Sequence, residues 1–454
     1  MAILAGPLFL GACGFQQYLA KPIDPAVNLA KFEQKDPNDP AFQQYLANQG
    51  YTPAQLPIKT WGLDELTYCA LFFHPSLNLA RAQARAAELS VDHTAASAIP
   101  TVNANLARSN DPDPAKKPYA LGLSIDLPID IANKREIRVE KARHLASIAQ
   151  LEIAQEAWQL RNNLSRTWLD YQFNQQQIRL LTVEQNYQQA IVAIYQKRLD
   201  VGAASHVQLS TAKLAMQANA ALLNQAEQNA LVLSNQLAID IGLPASQLAK
   251  MTLSTHASTA INASWQAADM QKNALLNRID LRIALERYAS MEAKLKLEIA
   301  NQYPDLLISP GYAYEFGDSV WSLGLSSLLN LLQKNKLAIA EASQLREVEA
   351  AQFEVLQTKI IGAVHAAHAE FEQAQQGLAQ QQTSLNQQET HAKRMASLFT
   401  AGEIDRLALT LTKLETMNAE KNLAAAQHQL NNAIRQLENV LQKPLTRVGV
   451  KNEP

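Results

Sequence analysis

Few side chains in this sequence stand where they could do chemistry. His365 and His368 are three apart, so on a helix both imidazoles share one face and could begin a metal site. No Cys and no third His joins them, and the spacing fits an exposed helix face better. The sequence spells no glycine-rich phosphate loop, no Gly-x-Ser-x-Gly elbow and no His-Glu-x-x-His motif, so no catalytic residue, metal or cofactor is expected. Cys13 is different. It closes the apolar run Leu8-Phe9-Leu10-Gly11-Ala12, and Leu10-Gly11-Ala12-Cys13 looks like a bacterial lipobox, although no basic residue precedes it. Cleavage before Cys13 would leave its thiol to carry diacylglycerol and make residues 1–12 a signal-peptide remnant. Cys69 is then left alone, which excludes an intramolecular disulfide.

The composition says what must position such residues. Among 454 residues there are 15 Gly and 18% charged residues, both low for ordinary domains, while Ala, Leu, Gln and Asn favour long helices. Forty basic residues against 42 acidic ones exclude a protein held to nucleic acid by bulk charge. No apolar run is long enough for a membrane-spanning helix. Spanning β-strands alternate and escape that test.

From residue 61 onward the chain is written twice. Leu77, Ala80 and Pro100 recur as Leu281, Ala284 and Pro304; Leu121-Gly122-Leu123-Ser124 recurs as Leu323-Gly324-Leu325-Ser326; Gly202, Leu209, Lys213 and Pro244 recur as Gly402, Leu409, Lys413 and Pro444. The spacing of about 200 residues makes this a duplicated half-molecule rather than a solenoid. Residues 61–245 and 267–445 are the two repeats, joined by a linker at 246–266 and followed by a tail at 446–454. Residues 13–60, rich in proline, read as an extended segment laid along the surface.

Each repeat predicts a helix, two strands, a very long helix, a Gly break and another helix. In the first these fall at 64–98, 99–108, 118–128, 132–199 and 204–241; in the second at 268–301, 303–316, 319–328, 332–399 and 404–441. Seams such as Leu164, Trp168, Tyr171, Gln175, Ile178 and Leu430, Ile434, Leu437, Leu441 carry the helical reading. The long helices would reach about 100 Å. In the strands, Tyr119, Leu121, Leu123, Ile125 and Leu127 alternate with Ala120, Gly122, Ser124 and Asp126, and Trp321, Leu323 and Leu325 with Ser322, Gly324 and Ser326. Ile308, Pro310, Tyr312, Tyr314 and Phe316 give a partly aromatic apolar face. Such strands suit a wall between lipid and water, with Thr101, Asn103, Ser124, Ser322 and Ser326 as candidate lumen residues. Four strands cannot close a barrel, so closure requires several chains. Lys134, Arg135, Arg138, Lys141 and Arg143, with Lys334 and Lys336 in the second repeat, read as anchors at lipid headgroups.

These features together resemble the TolC-type outer-membrane efflux proteins. The resemblance is carried by Ala70, Leu71, Pro75, Leu77 and Ala80, by Pro100 and Pro304 ahead of strands, by Leu121-Gly122-Leu123-Ser124 with Pro128, and by the Gly-break tips, over nearly all of 61–445. It implies a mainly α fold with a small transmembrane β part: a homotrimer whose 12-stranded β-barrel continues into a 12-helix α-barrel across the periplasm. It further implies a lipid-anchored outer-membrane lipoprotein of a Gram-negative cell and a passive conduit for efflux. Its tips, with Gly202, Ala203, Ser205, Val207, Ala401, Gly402, Glu403 and Leu407, would meet a periplasmic adaptor that joins an inner-membrane pump. The family often narrows its entrance with Asp shortly after the tip Gly, but here Gln208, Ala408 and Leu411 stand there. Asp200 and Asp405 are the nearest candidates for entrance carboxylates. A periplasmic coiled-coil scaffold or chaperone without a pore is the rival reading; it would need neither the strands nor a lipobox.

Overall fold

The computed structural model describes residues 16–97, 99–110, 117–254, 267–327 and 335–445. Cys13, Lys334, most of the 246–266 linker and the 446–454 tail lie outside them.

The amino-terminal segment is helical where an extended chain was expected. Pro25 and Pro40 do not break structure but begin helices α1 (Pro25–Glu33) and α2 (Pro40–Asn48), because proline fits the first helical position, whose N–H has no partner anyway. Asp24 and Asp39 cap them, each accepting at 2.8 Å from the N–H two residues on. Nor is α2 a surface strap: Phe42 and Leu46 are fully buried against Leu66, Cys69 and Phe73 of α3 (Leu63–Phe73), together with Leu164, Trp168, Leu237 and Ile241. Lys35 completes the joint. Its Nζ donates to the carbonyls of Phe73 at 2.7 Å and Gly242 at 3.0 Å, where helix ends leave carbonyls without internal partners. Burial pulls its pKa below the usual lysine range and pushes the Cys69 thiol up.

Both helices that precede strands are broken. Pro75 ends α3 and starts α4 (Pro75–Ala95). In the second repeat α8 (Ala267–Asn277) and α9 (Ile279–Ala300) divide at Arg278, which pairs with Asp280 and donates to the carbonyl of Val440. The two joints are built differently. Helix α6 (His206–Ile241) ends at Gly242 with φ +72°, where a β-carbon would stand 2.8 Å from the Cα of His74. Helix α11 (Arg406–Leu441) ends at Gln442 with φ +48°, and there the side chain serves, its Oε1 accepting from Ile279 N–H at 2.6 Å. After Gly242 comes the short helix α7 (Ala245–Leu248), and Leu253 then bridges Trp61.

Two long rods dominate: α5 (Lys134–Asp200, 67 residues) and α10 (Lys336–Thr400, 65 residues), each about 100 Å. No Gly or Pro interrupts α5, whereas α10 contains Gly362 and Gly377 with open space beside each. Helix α5 packs on α4 and α6 along one side and on α9 and α11 along the other; α10 packs on α8, α9 and α11. The chain is therefore bordered by α4 and α6 on one flank and by α10 on the other. Leu164 and Trp168, like Ile434, Leu437 and Leu441, are buried in the seams. Between α5 and α11 the contact is also polar, with Arg161 on Glu438 at 3.2 Å and Lys421 on Glu184 at 2.5 Å.

The strands are β1 (Thr101–Arg108), β2 (Tyr119–Ile129), β3 (Leu306–Glu315) and β4 (Asp318–Ser327), an antiparallel sheet in the order β1-β2-β3-β4. Phe316 is not on the apolar face as expected; with Gly317 it makes the β3–β4 turn at φ +50° and +128°. The strand-to-helix junctions use Asn133 and Asn335, both left-handed. Lys134 is not a headgroup anchor. It is buried, its Nζ bound to Asp305 at 2.9 Å and to the carbonyl of Tyr303 at 2.7 Å, tying α5 to the start of β3.

Candidate functional site: the hairpin tips and the two faces of the sheet

At the end of the helices away from the sheet, α5 turns into α6 and α10 into α11. Gly202 (φ +73°) and Gly402 (φ +77°) sit at the reversals. Each turn is a Schellman motif: Gly202 N–H donates to Leu199 and Ala203 N–H to Arg198, and Gly402 N–H donates to Phe399 and Glu403 N–H to Leu398. The next helices are capped at once. Ser205 and Gln208 form a reciprocal capping box on α6, and Asp405 Oδ1 accepts from Ala408 N–H at 2.8 Å on α11. The tips are thus short turns capped on both sides, and Ala203, Ser205, Val207, Ala401 and Glu403 are exposed on them.

Two tip residues differ from expectation. Leu407 is only 7% exposed and packs with Ile191, Ala212 and Tyr195, so it joins the two hairpins of one chain and offers nothing to a partner. Asp405 is not a free carboxylate. Besides capping α11 it binds the Arg198 guanidinium of the other hairpin. The Ala408 N–H and then Arg198 hold its carboxyl below the usual range, so its charge and the clasp persist into more acid solution than an ordinary carboxylate's would and are lost only as the pH falls through that lowered value. Arg198 carries no signal in the sequence that would mark it, since its partner lies on another helix. Asp200 is exposed and accepts from Gln196 Nε2 at 2.9 Å.

At the other end the register separates the sheet cleanly. Thr101 stands opposite Asp126, Asn103 opposite Ser124, Ser124 opposite Gly311, Gly311 opposite Ser322, and Leu307 opposite Ser326. All five candidate lumen residues therefore share one face. The sequence reading missed its best-held group, Asp126, which accepts from Asn103 Nδ2 at 2.8 Å and from Ser309 Oγ at 2.6 Å, spanning three strands. Its alternation with Ser124 was the available signal. The opposite face carries Val102, Leu106, Tyr119, Leu121, Leu123, Ile125, Tyr312, Trp321 and Leu325, all exposed; Trp321 is 82% and Leu323 76% exposed. A continuous apolar face this bare needs a non-aqueous cover. Tyr119, Tyr312, Tyr314 and Trp321 all lie in the half nearer the strand turns.

His368 Nε2 lies 3.8 Å from Glu372 Oε1, and among the described residues no group of three or more His, Cys, Asp or Glu is placed to hold a metal. Among the same residues, no helix is long and apolar enough to cross a membrane.

Comparison with solved structures decides the architecture. The chain superposes on the outer-membrane channel OprN with a TM-score of 0.70, covering 85% of this chain and 91% of that one at 18% identity. This is the outer-membrane channel fold. VceC from Vibrio cholerae shares the channel fold at a TM-score of 0.69 and 16% identity, covering 84% and 96% of the two chains. The open state of MtrE from Neisseria gonorrhoeae does so at 0.66 and 16%, covering 85% and 90%. In sequence, residues 66–242, most of the first repeat, match the family model described as outer membrane efflux protein. No curated protein matches.

Proposed function

We propose that this chain is a member of the outer membrane efflux protein family and forms a trimeric, passive conduit across the outer membrane and periplasm. The observation that carries the reading is the sheet: one face bare and apolar, the other small and polar, with β1 and β4 left as open edges. Open edges in lipid leave backbone groups unsatisfied. Edges β1 and β4 lie on opposite flanks, as do α4 with α6 and α10, so copies can join head to tail and close a ring. Exposed Leu214, Leu222 and Leu231 on α6 and Val348 and Val355 on α10 supply apolar surface for the helical part of that contact. Three copies give twelve strands, above the minimum of about eight for a barrel. The polar face with Ser124 and Asp126 would line the lumen. Energy and substrate choice would come from an inner-membrane pump, met through a periplasmic adaptor, and the Cys13 lipid would add an anchor.

Full-length protein extracted in detergent should run near three times 50.0 kDa once detergent is subtracted, and should conduct ions in a planar bilayer. The Cys13→Ser variant should lose fatty-acid labelling yet still need detergent, because a dozen strands bury far more apolar surface than one lipid anchor. A monodisperse, water-soluble monomer would refute the conduit and favour a scaffold.

Adaptor docking belongs to the exposed tip residues, with Leu407 removed from the set. Trp at Ala203 and at Glu403, next to but outside the left-handed glycines, should cut adaptor crosslinking and export at least ten-fold with trimer and surface level unchanged. Loss of export only alongside loss of the trimer would make the tips purely structural.

A further inference from the structure

Two cations close the apolar face of the sheet at the end farthest from the helices. Arg108 ends β1, and its guanidinium carbon lies 6.0 Å from the ring centre of Tyr119; Lys117 precedes β2, and its Nζ lies 5.8 Å from the ring centre of Tyr314. The backbone brings them to one place. Arg108 pairs directly with Tyr119 across β1 and β2, and Lys117 N–H donates to the carbonyl of Phe316 at 2.9 Å, two residues from Tyr314. Both side chains thus stand over tyrosines of the apolar face. Glu315 and Asp318, at the same end, pair with each other on the opposite face by the two-residue alternation.

From these observations we infer that Arg108 and Lys117 form a binding site for the phosphate of an anionic lipid in the outer leaflet. The inference rests on the outer-membrane reading above. A tyrosine ring suits the headgroup level, apolar on one side and wet at its hydroxyl. A basic group held over such a ring, directly above hydrocarbon-facing residues, is best completed by an anion at the same depth. What lies below selects the kind of anion. Leu106 and Leu121, the next pair into the sheet on the same face, are exposed and would receive acyl chains. A soluble phosphate would use the two cations and leave that surface bare, whereas an acylated phosphate uses both. In a closed ring each copy would hold its own site, since both cations come from the β1–β2 hairpin of one chain.

The test uses the full-length trimer in detergent, titrated with diphosphoryl lipid A and with its dephosphorylated form, bound lipid being counted by native mass spectrometry. Wild type should bind the phosphorylated lipid about ten-fold more tightly than the dephosphorylated one, and the double variant Arg108→Gln/Lys117→Gln should lose that preference. Trimer mass and bilayer conductance of the variant should equal wild type, because neither residue faces the lumen. Equal affinity of wild type for the two lipids, or an unchanged preference in the double variant, overturns the site. Displacement of the lipid by millimolar inorganic phosphate also overturns it, in favour of a free-anion site. Failure of wild type to insert and conduct would instead remove the outer-membrane reading itself, and this inference with it.

Discussion

Leu123→Arg should abolish assembly into the membrane, while Ser124→Arg, one residue later, should leave assembly intact and reduce conductance. The two side chains leave β2 on opposite faces. Leu123 is exposed among the apolar set; Ser124 stands opposite Asn103 and Gly311 on the polar face. An arginine facing lipid near the middle of a barrel strand costs about 2–4 kcal/mol, and a ring of three copies would incur about 6–12 kcal/mol. That is comparable with the whole stability of an ordinary domain. On the polar face the same cation stays in water and adds one positive charge per chain beside Asp126. Heat-resistant trimer on gels reports assembly, and single-channel current reports the lumen. If both variants assemble equally, the bare face does not meet lipid and the conduit reading falls.

The second large effect concerns the buried joint under the amino-terminal segment. Phe42→Ala should cost about 3–5 kcal/mol, the range for truncating a fully buried aromatic side chain. Its ring lies 5.1 Å from that of Phe73, 5.2 Å from Phe72 and 6.4 Å from Trp61, so the cavity is walled by large rings on helix α3 and beside it that cannot easily collapse into it. Denaturant unfolding should show the loss, and limited proteolysis should cut the segment around Lys35 well before wild type. Val27→Ala, at an exposed position of a helix with no buried residue, should change stability by less than about 0.5 kcal/mol. If the two alanine variants behave alike, the segment only rests on the surface.

That joint also marks the limit of what could be read from the residues in order. Alternation in β2 and β4 was legible because a two-residue period survives any packing, and its partition into faces needs no knowledge of neighbours. The Pro75 break was encoded but overlooked, whereas the break at Arg278 has no proline and depends on Val440 and Gln442, more than 160 residues away. The segment before residue 60 was misread because Asp24-Pro25 and Asp39-Pro40 look like turns; a capping aspartate followed by proline at the first helical position is equally a helix start. At the tips the glycine turns could be placed, but the burial of Leu407 and the engagement of Asp405 could not. Which side of α11 meets α5 is decided by the packing of two repeats, and Arg198 lies 207 residues from its partner.

The difference between the two long rods has a mechanical meaning. Each glycine in a helix interior weakens it by about 1 kcal/mol relative to alanine, and nothing lies within 4 Å of where a side chain at Gly362 or Gly377 would begin. Within one chain, neither position is glycine to let a neighbour approach. Helix α5, with none, behaves as a strut, and α10 as a beam with two soft points in its central third. A load applied at the tips would therefore be shared unequally: the hairpin of α5 and α6 holds its line, and the hairpin of α10 and α11 bends first, hinged against the Arg198 to Asp405 clasp.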